Sequence, residues 1–151
     1  MLDFEFILNN GLKGYIDLID KQTQKNELLE AMKIVLNSLG ELSLRYSGIC
    51  KDEKLSKNLK KVPMYPCETF YEAVSALWFV FQLCPDSLGR IDQYLYPFYK
   101  RDTENKTLTY DTAKELLEEL FVKVFEMQMD NTALPISGHN HLVAGGYTEY
   151  G

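Results

Sequence analysis

The sequence predicts a mainly α fold, a bundle-like set of about four to five helices with little β structure, taking residues 1–151 as one domain. Three observations lead there. Apolar residues recur at helical spacing over several long stretches, cap-forming residues stand before those stretches, and alternating strand patterns are scarce. The composition agrees: 46% hydrophobic and 13% aromatic residues can fill a core, which excludes a disordered chain.

In chain order, Phe4, Ile7, Leu8, Leu12, Ile16 and Ile19 predict a helix from Asp3 to Asp20, broken or closely approached at Gly11 and Gly14. Lys21 to Asn26 is a loop with Asn26 as N-cap. A second helix is expected from Glu27 to about Tyr46, with Leu28, Met32, Val35, Leu36, Leu39 and Leu42 as its inward stripe. Gly48 to Lys61 carries five lysines among acids and no aromatic residue, so it reads as a solvated connection or an exposed short helix. Val62-Pro63-Met64-Tyr65-Pro66 is extended, because each proline disfavours helical geometry in the residue before it. Thr69-Phe70-Tyr71-Glu72 has the form of a capping box and opens a helix to about Leu83. From Ala76 to Phe81 that helix is apolar nearly all round, which makes it the central element of the core.

Tyr94 to Arg101 surrounds Pro97 with aromatic residues and is expected to form a helical turn or an irregular packed segment. Asn105-Lys106 is a turn. Thr109 caps a helix through about Met129, with Ala113, Leu116, Leu117, Leu120, Phe121 and Val124 inward. His141 to Ala144 is a candidate short strand.

Charge and cysteine usage narrow the function. A net charge of −6 repels phosphate backbones, so no nucleic-acid partner is expected. The first residues include two acids where a signal peptide needs a basic region, and the longest apolar run is far too short for a bilayer. The expectation is a cytoplasmic protein with no membrane partner. Cys50, Cys67 and Cys84 form no paired motif, which argues for free thiols rather than disulfides or a thiolate metal site. His139 and His141 would share one face of a strand, yet no third ligand stands at a metal-binding spacing, so no metal is expected. No phosphate-binding glycine loop or nucleophile elbow occurs. The chemically densest stretch is Ser87 to Tyr99. Arg90, one of three arginines, stands two residues from Asp92 and beside Ser87 and Gln93. A guanidinium fork beside a carboxylate either ties loops together or holds a substrate anion; Ser87 and Arg90 are the candidate substrate-binding residues.

This stretch also carries a family resemblance. Val62-Pro63 and Pro66, Thr69 to Ala73 leading to Leu77-Trp78-Phe79, Ser87-Leu88-Gly89-Arg90, Asp92 to Pro97, and Lys100-Arg101-Asp102 follow one another in an order that resembles the glycyl radical enzymes, the pyruvate formate-lyase-like family. Leu108-Thr109, Ala113, Glu115-Leu116-Leu117, Lys123 and Gly145-Gly146 continue the resemblance. It implies part of a larger α/β barrel, and a parent that is a radical lyase, dehydratase or decarboxylase of small metabolites. Complete members carry a glycyl radical, installed by an S-adenosylmethionine-dependent activase, which draws hydrogen from a cysteine on a second loop. Cys67 and Cys84 fall in regions that match non-catalytic parts of the family. Val143-Ala144-Gly145-Gly146-Tyr147 has Leu142 where the radical loop needs arginine, and matches better the Gly-Gly segment ahead of the cysteine loop. Cys84-Pro85 replaces the His-Ser pair of dehydratases, so a polyol substrate does not carry over. The resemblance therefore implies no catalytic residue and no cofactor in this chain. It implies a truncated or split segment, inactive alone, whose partner is the missing remainder of the enzyme or a second copy. The alternative is a helical interaction or regulatory module docking on a partner subunit.

Overall fold

The computed structural model describes residues 3–24, 26–83, 87–130, 142, 143 and 145. Six helices and one pair of two-residue strands are present among them. The chain divides into two compact units, Glu5–Glu68 on the one hand and Met1–Phe4 with Thr69–Gly151 on the other.

In the Glu5–Glu68 unit, α1 (Phe4–Asp20) is broken at Gly11, whose φ of 69° and ψ of 175° lie outside helical space. The break frees amides of the next turn. Leu12 N–H donates to Pro63 O at 2.9 Å and Lys13 N–H to Met64 O at 3.0 Å, while Cys67 N–H donates to Leu8 O at 2.8 Å. The extended Val62–Cys67 segment is thus laced along the helix, and its Val62–Pro63 peptide is cis. All six apolar positions expected to face inward, Phe4 through Ile19, are buried.

Asn26 caps α2 (Glu27–Ile49) by accepting from Leu29 N–H at 2.9 Å, and Asp52 caps α3 (Glu53–Leu59) by accepting from Leu55 N–H at 2.7 Å. The inward face of α2 differs from expectation. Leu28, Met32 and Val35 are exposed, and the fully buried residues are Gly40, Ser43 and Ser47. The reason is close approach. A Cβ on Gly40 would collide with the Met64 side chain. Ser43 Oγ lies 2.7 Å from Leu59 O and 2.9 Å from Val62 O, and Ser56 Oγ donates to Ser47 O at 2.8 Å. Small and hydroxyl side chains let α3 and the proline segment sit against the helix and satisfy their carbonyls, which leucines would block.

In the other unit, α4 (Phe70–Leu83) packs on both α5 (Ile91–Glu104) and α6 (Tyr110–Asp130). Phe70, Leu77, Val80 and Phe81 of α4 are buried, as its all-round apolar pattern requires. Thr69 Oγ1 accepts from Glu72 N–H at 3.1 Å, the first half of the expected box. The amide of Phe70, one residue further on, donates to the buried Asp102 Oδ2 of α5 at 2.7 Å. The α5 segment is a full helix through Pro97, not a turn. Ile91, Tyr94, Leu95, Phe98 and Asp102 are buried at helical spacing, and that burial outweighs the one ladder bond proline forfeits. Thr109 caps α6 through Thr112 N–H at 3.2 Å; Ala113, Leu120 and Val124 are buried, whereas Phe121 is exposed. Gly89–Arg90 (β1) pairs in parallel with Leu142–Val143 (β2), inside the expected strand. No helix among the described residues is long and apolar enough to cross a membrane.

Candidate functional site

The Arg90 region is assembled by a turn, a helix start and a distant strand. Ser87 Oγ accepts from Gly89 N–H at 3.1 Å, and Gly89 takes a φ of 61° that lets the chain turn from Leu88 into β1. Arg90 then opens α5 and folds back onto its first turn. Its Nε donates to Asp92 Oδ1 at 3.0 Å and its Nη2 to Oδ2 at 2.9 Å, a two-pronged pair. Gln93 Nε2 donates to Asp92 Oδ2 at 3.0 Å, and Gly145 N–H reaches the same oxygen at 3.2 Å from 53 positions along the chain. Beneath the pair, the buried Tyr94 hydroxyl donates to Leu88 O at 2.8 Å.

The expected hub of arginine, carboxylate and glutamine is present, and Asp92 is its centre. The Arg90 guanidinium beside Asp92 holds its carboxyl well below the usual carboxylate range, with Gln93 and the Gly145 amide adding to the effect and partial burial opposing it. Burial pushes the Tyr94 phenol well above its ordinary value, so it stays a neutral donor. Because the folded value of Asp92 is depressed, its contribution to stability is present above the unfolded value of about 3.9 and is lost as pH falls through the folded one. The expected result is a thermal midpoint that drops more steeply below about pH 4 in the native chain than in Asp92→Asn. Parallel acid profiles for the two proteins would show that Asp92 carries no such linkage.

Next to this hub runs an apolar groove of about 510 Å³. Asp92, Leu95 and Tyr99 of α5 face Tyr110, Leu117 and Phe121 of α6 across it. Neither Ser87 nor Arg90 lines the groove. The aromatic cluster after Tyr94 was the sequence signal for it, but which helix would form the opposite wall was not legible.

Cys67 is buried and Cys50 half-buried, and neither is in a disulfide. Cys84, His139 and His141 lie outside the described residues. Among the described residues, no cluster of three or more His, Cys, Asp or Glu side chains is gathered for a metal.

The arginine hub stands at the start of α5, and comparison with known proteins gives the family to which the chain around it belongs. The Pyruvate formate lyase-like family model matches residues 1–151, and the chain belongs to that family. It is 34% identical over 131 residues to a trans-4-hydroxy-L-proline dehydratase of Clostridioides difficile, covering 72% of this chain and 16% of the relative. An isethionate sulfite-lyase of Nitratidesulfovibrio vulgaris is 32% identical over 154 residues, covering 80% and 19%. Among solved structures, a glycyl radical enzyme from Archaeoglobus fulgidus superposes with a TM-score of 0.71 at 27% identity, covering 81% of this chain and 20% of that one. The chain spans less than a fifth of the length of these two curated relatives.

Proposed function

We propose that this chain is a scaffold segment of a glycyl radical lyase or dehydratase and is catalytically inert by itself. The observation that carries the reading is the use made of Asp92: a single carboxylate gathers Arg90, Gln93 and the remote Gly145 amide, which is the work of holding loops together. The fraction of each relative matched, 16–19%, supports the same reading.

The radical chemistry of the family needs a shielded glycine facing a thiol. Gly145 is exposed and its N–H is engaged by Asp92, so a radical on its α-carbon would stand open to solvent. Cys67 is buried, and its N–H is held by Leu8 O in the backbone lacing of α1. These residues do not fit the group, and no radical step is derived through them. In an assembled enzyme, the contact this segment offers an anionic substrate is Arg90 with Ser87. Nε and one Nη2 direction of the guanidinium are given to Asp92, and the remaining N–H directions are the ones such a substrate would take.

Anaerobic incubation with a radical S-adenosylmethionine activase, followed by electron paramagnetic resonance, tests the proposal. The expected spectrum has no glycyl doublet. A persistent doublet from this polypeptide alone would overturn the reading.

A further inference from the structure

Four polar or charged side chains are buried among the described residues: Ser43, Ser47, Asn58 and Asp102. Three of them have partners. Ser43 Oγ bonds to Leu59 O and Val62 O, Ser47 Oγ donates to Leu44 O at 2.7 Å, and Asp102 accepts the Phe70 amide. Asn58 differs. It is 5% exposed, its Oδ1 and Nδ2 are both shut off from solvent, and neither has a protein partner. A buried amide in that condition forfeits its hydration without return, which folded proteins avoid at nearly every such group.

The backbone on either side of Asn58 is tied down. Ser56 Oγ donates to Ser47 O at 2.8 Å and Leu59 O accepts from Ser43 Oγ at 2.7 Å, so α3 is fastened to α2 before and after this residue. The Asn58 carbonyl itself accepts the Lys61 and Val62 amides, both at 2.9 Å. What the side chain lacks then defines what it would take. Nδ2 carries two donors and Oδ1 accepts. A cation would suit Oδ1 and oppose Nδ2, and an anion would do the reverse. A water molecule donates and accepts at once. The carboxamide oxygen and the N–H on its side point the same way, so one water spans both. Buried waters make about three hydrogen bonds. Ser43 and Ser47, buried at the same junction and already donating, each keep an acceptor lone pair for a further bond.

We propose that Asn58 holds an internal water molecule at the junction of α2 and α3, donating to it through Nδ2 and accepting from it through Oδ1. The site belongs to the Glu5–Glu68 unit and does not depend on the scaffold reading of the Arg90 hub.

Nuclear magnetic resonance of the isotope-labelled full chain reads the water directly. The Asn58 side-chain amide protons are expected to cross-relax with water in the manner of a long-lived contact. Relaxation dispersion of the water oxygen is expected to count one long-lived water fewer in Asn58→Leu than in the native chain. Lys57→Ala, at the exposed neighbouring position, is expected to leave that count unchanged. Native amide protons without a water contact overturn the proposal, and this readout decides even where Asn58→Leu does not fold. Equal counts in the native chain and Asn58→Leu overturn it too. So do Asn58 amide resonances that shift when sodium chloride is exchanged for potassium chloride, which would give the site to a cation.

Discussion

Replacing Gly11 by alanine is expected to destabilise the protein by about 3–5 kcal/mol, read from the urea midpoint by circular dichroism. The backbone there has a φ of 69° and a ψ of 175°, a region that residues with a Cβ scarcely enter. An added Cβ would drive into Met64 O and lie 2.7 Å from the Tyr65 backbone. Retreat is closed off, because Leu12 and Lys13 donate to Pro63 O and Met64 O at 2.9 and 3.0 Å. Backbone strain costs about 1–3 kcal/mol, and each of two hydrogen bonds lost adds about 1 kcal/mol. A loss below about 1 kcal/mol would mean that the helix break and the proline segment are not held as described.

Asp102→Ala is the second large effect, an expected loss of about 2–4 kcal/mol. Its carboxylate is buried at 7% exposure and accepts the Phe70 amide at 2.7 Å, at the helix end where a negative charge is favoured. Alanine leaves that N–H buried and unpaired. Asp102→Asn keeps an acceptor oxygen and loses only the charge, so its cost is expected to be less than half as large. Equal losses for the two variants would show that the hydrogen bond is not what Asp102 contributes.

Much of the helical frame was legible from local chemistry. Asn26 and Thr109 cap as expected, and Gly11 marks a true break, because caps and glycines act on their immediate neighbours. The faces were less legible. A stripe of leucines on α2 signals burial only if nothing else competes for the core side. Here Gly40, Ser43 and Ser47 win by permitting close approach; the Ser43 hydroxyl donates to the packed segment's carbonyls, and the Ser47 carbonyl accepts from Ser56 Oγ. Pro97 misled for a related reason: its local cost is plain in the sequence, whereas the burial that offsets it depends on tertiary packing. At the candidate site, Arg90, Asp92 and Gln93 were readable as a hub since they are neighbours. The Gly145 amide was not, because nothing near Asp92 records a donor 53 positions away.

That remote donor bears on the order in which this part of the molecule assembles. Joining Asp92 to Gly145 from an open chain would cost roughly 3–4 kcal/mol of loop-closure entropy, more than the hydrogen bond and a two-residue strand pair return. Once α5 and α6 have formed, the stretch left to be closed is far shorter, and the same contacts suffice. The clasp of β1 and β2 is therefore expected to close only after α5 and α6 have formed, and to open before they do.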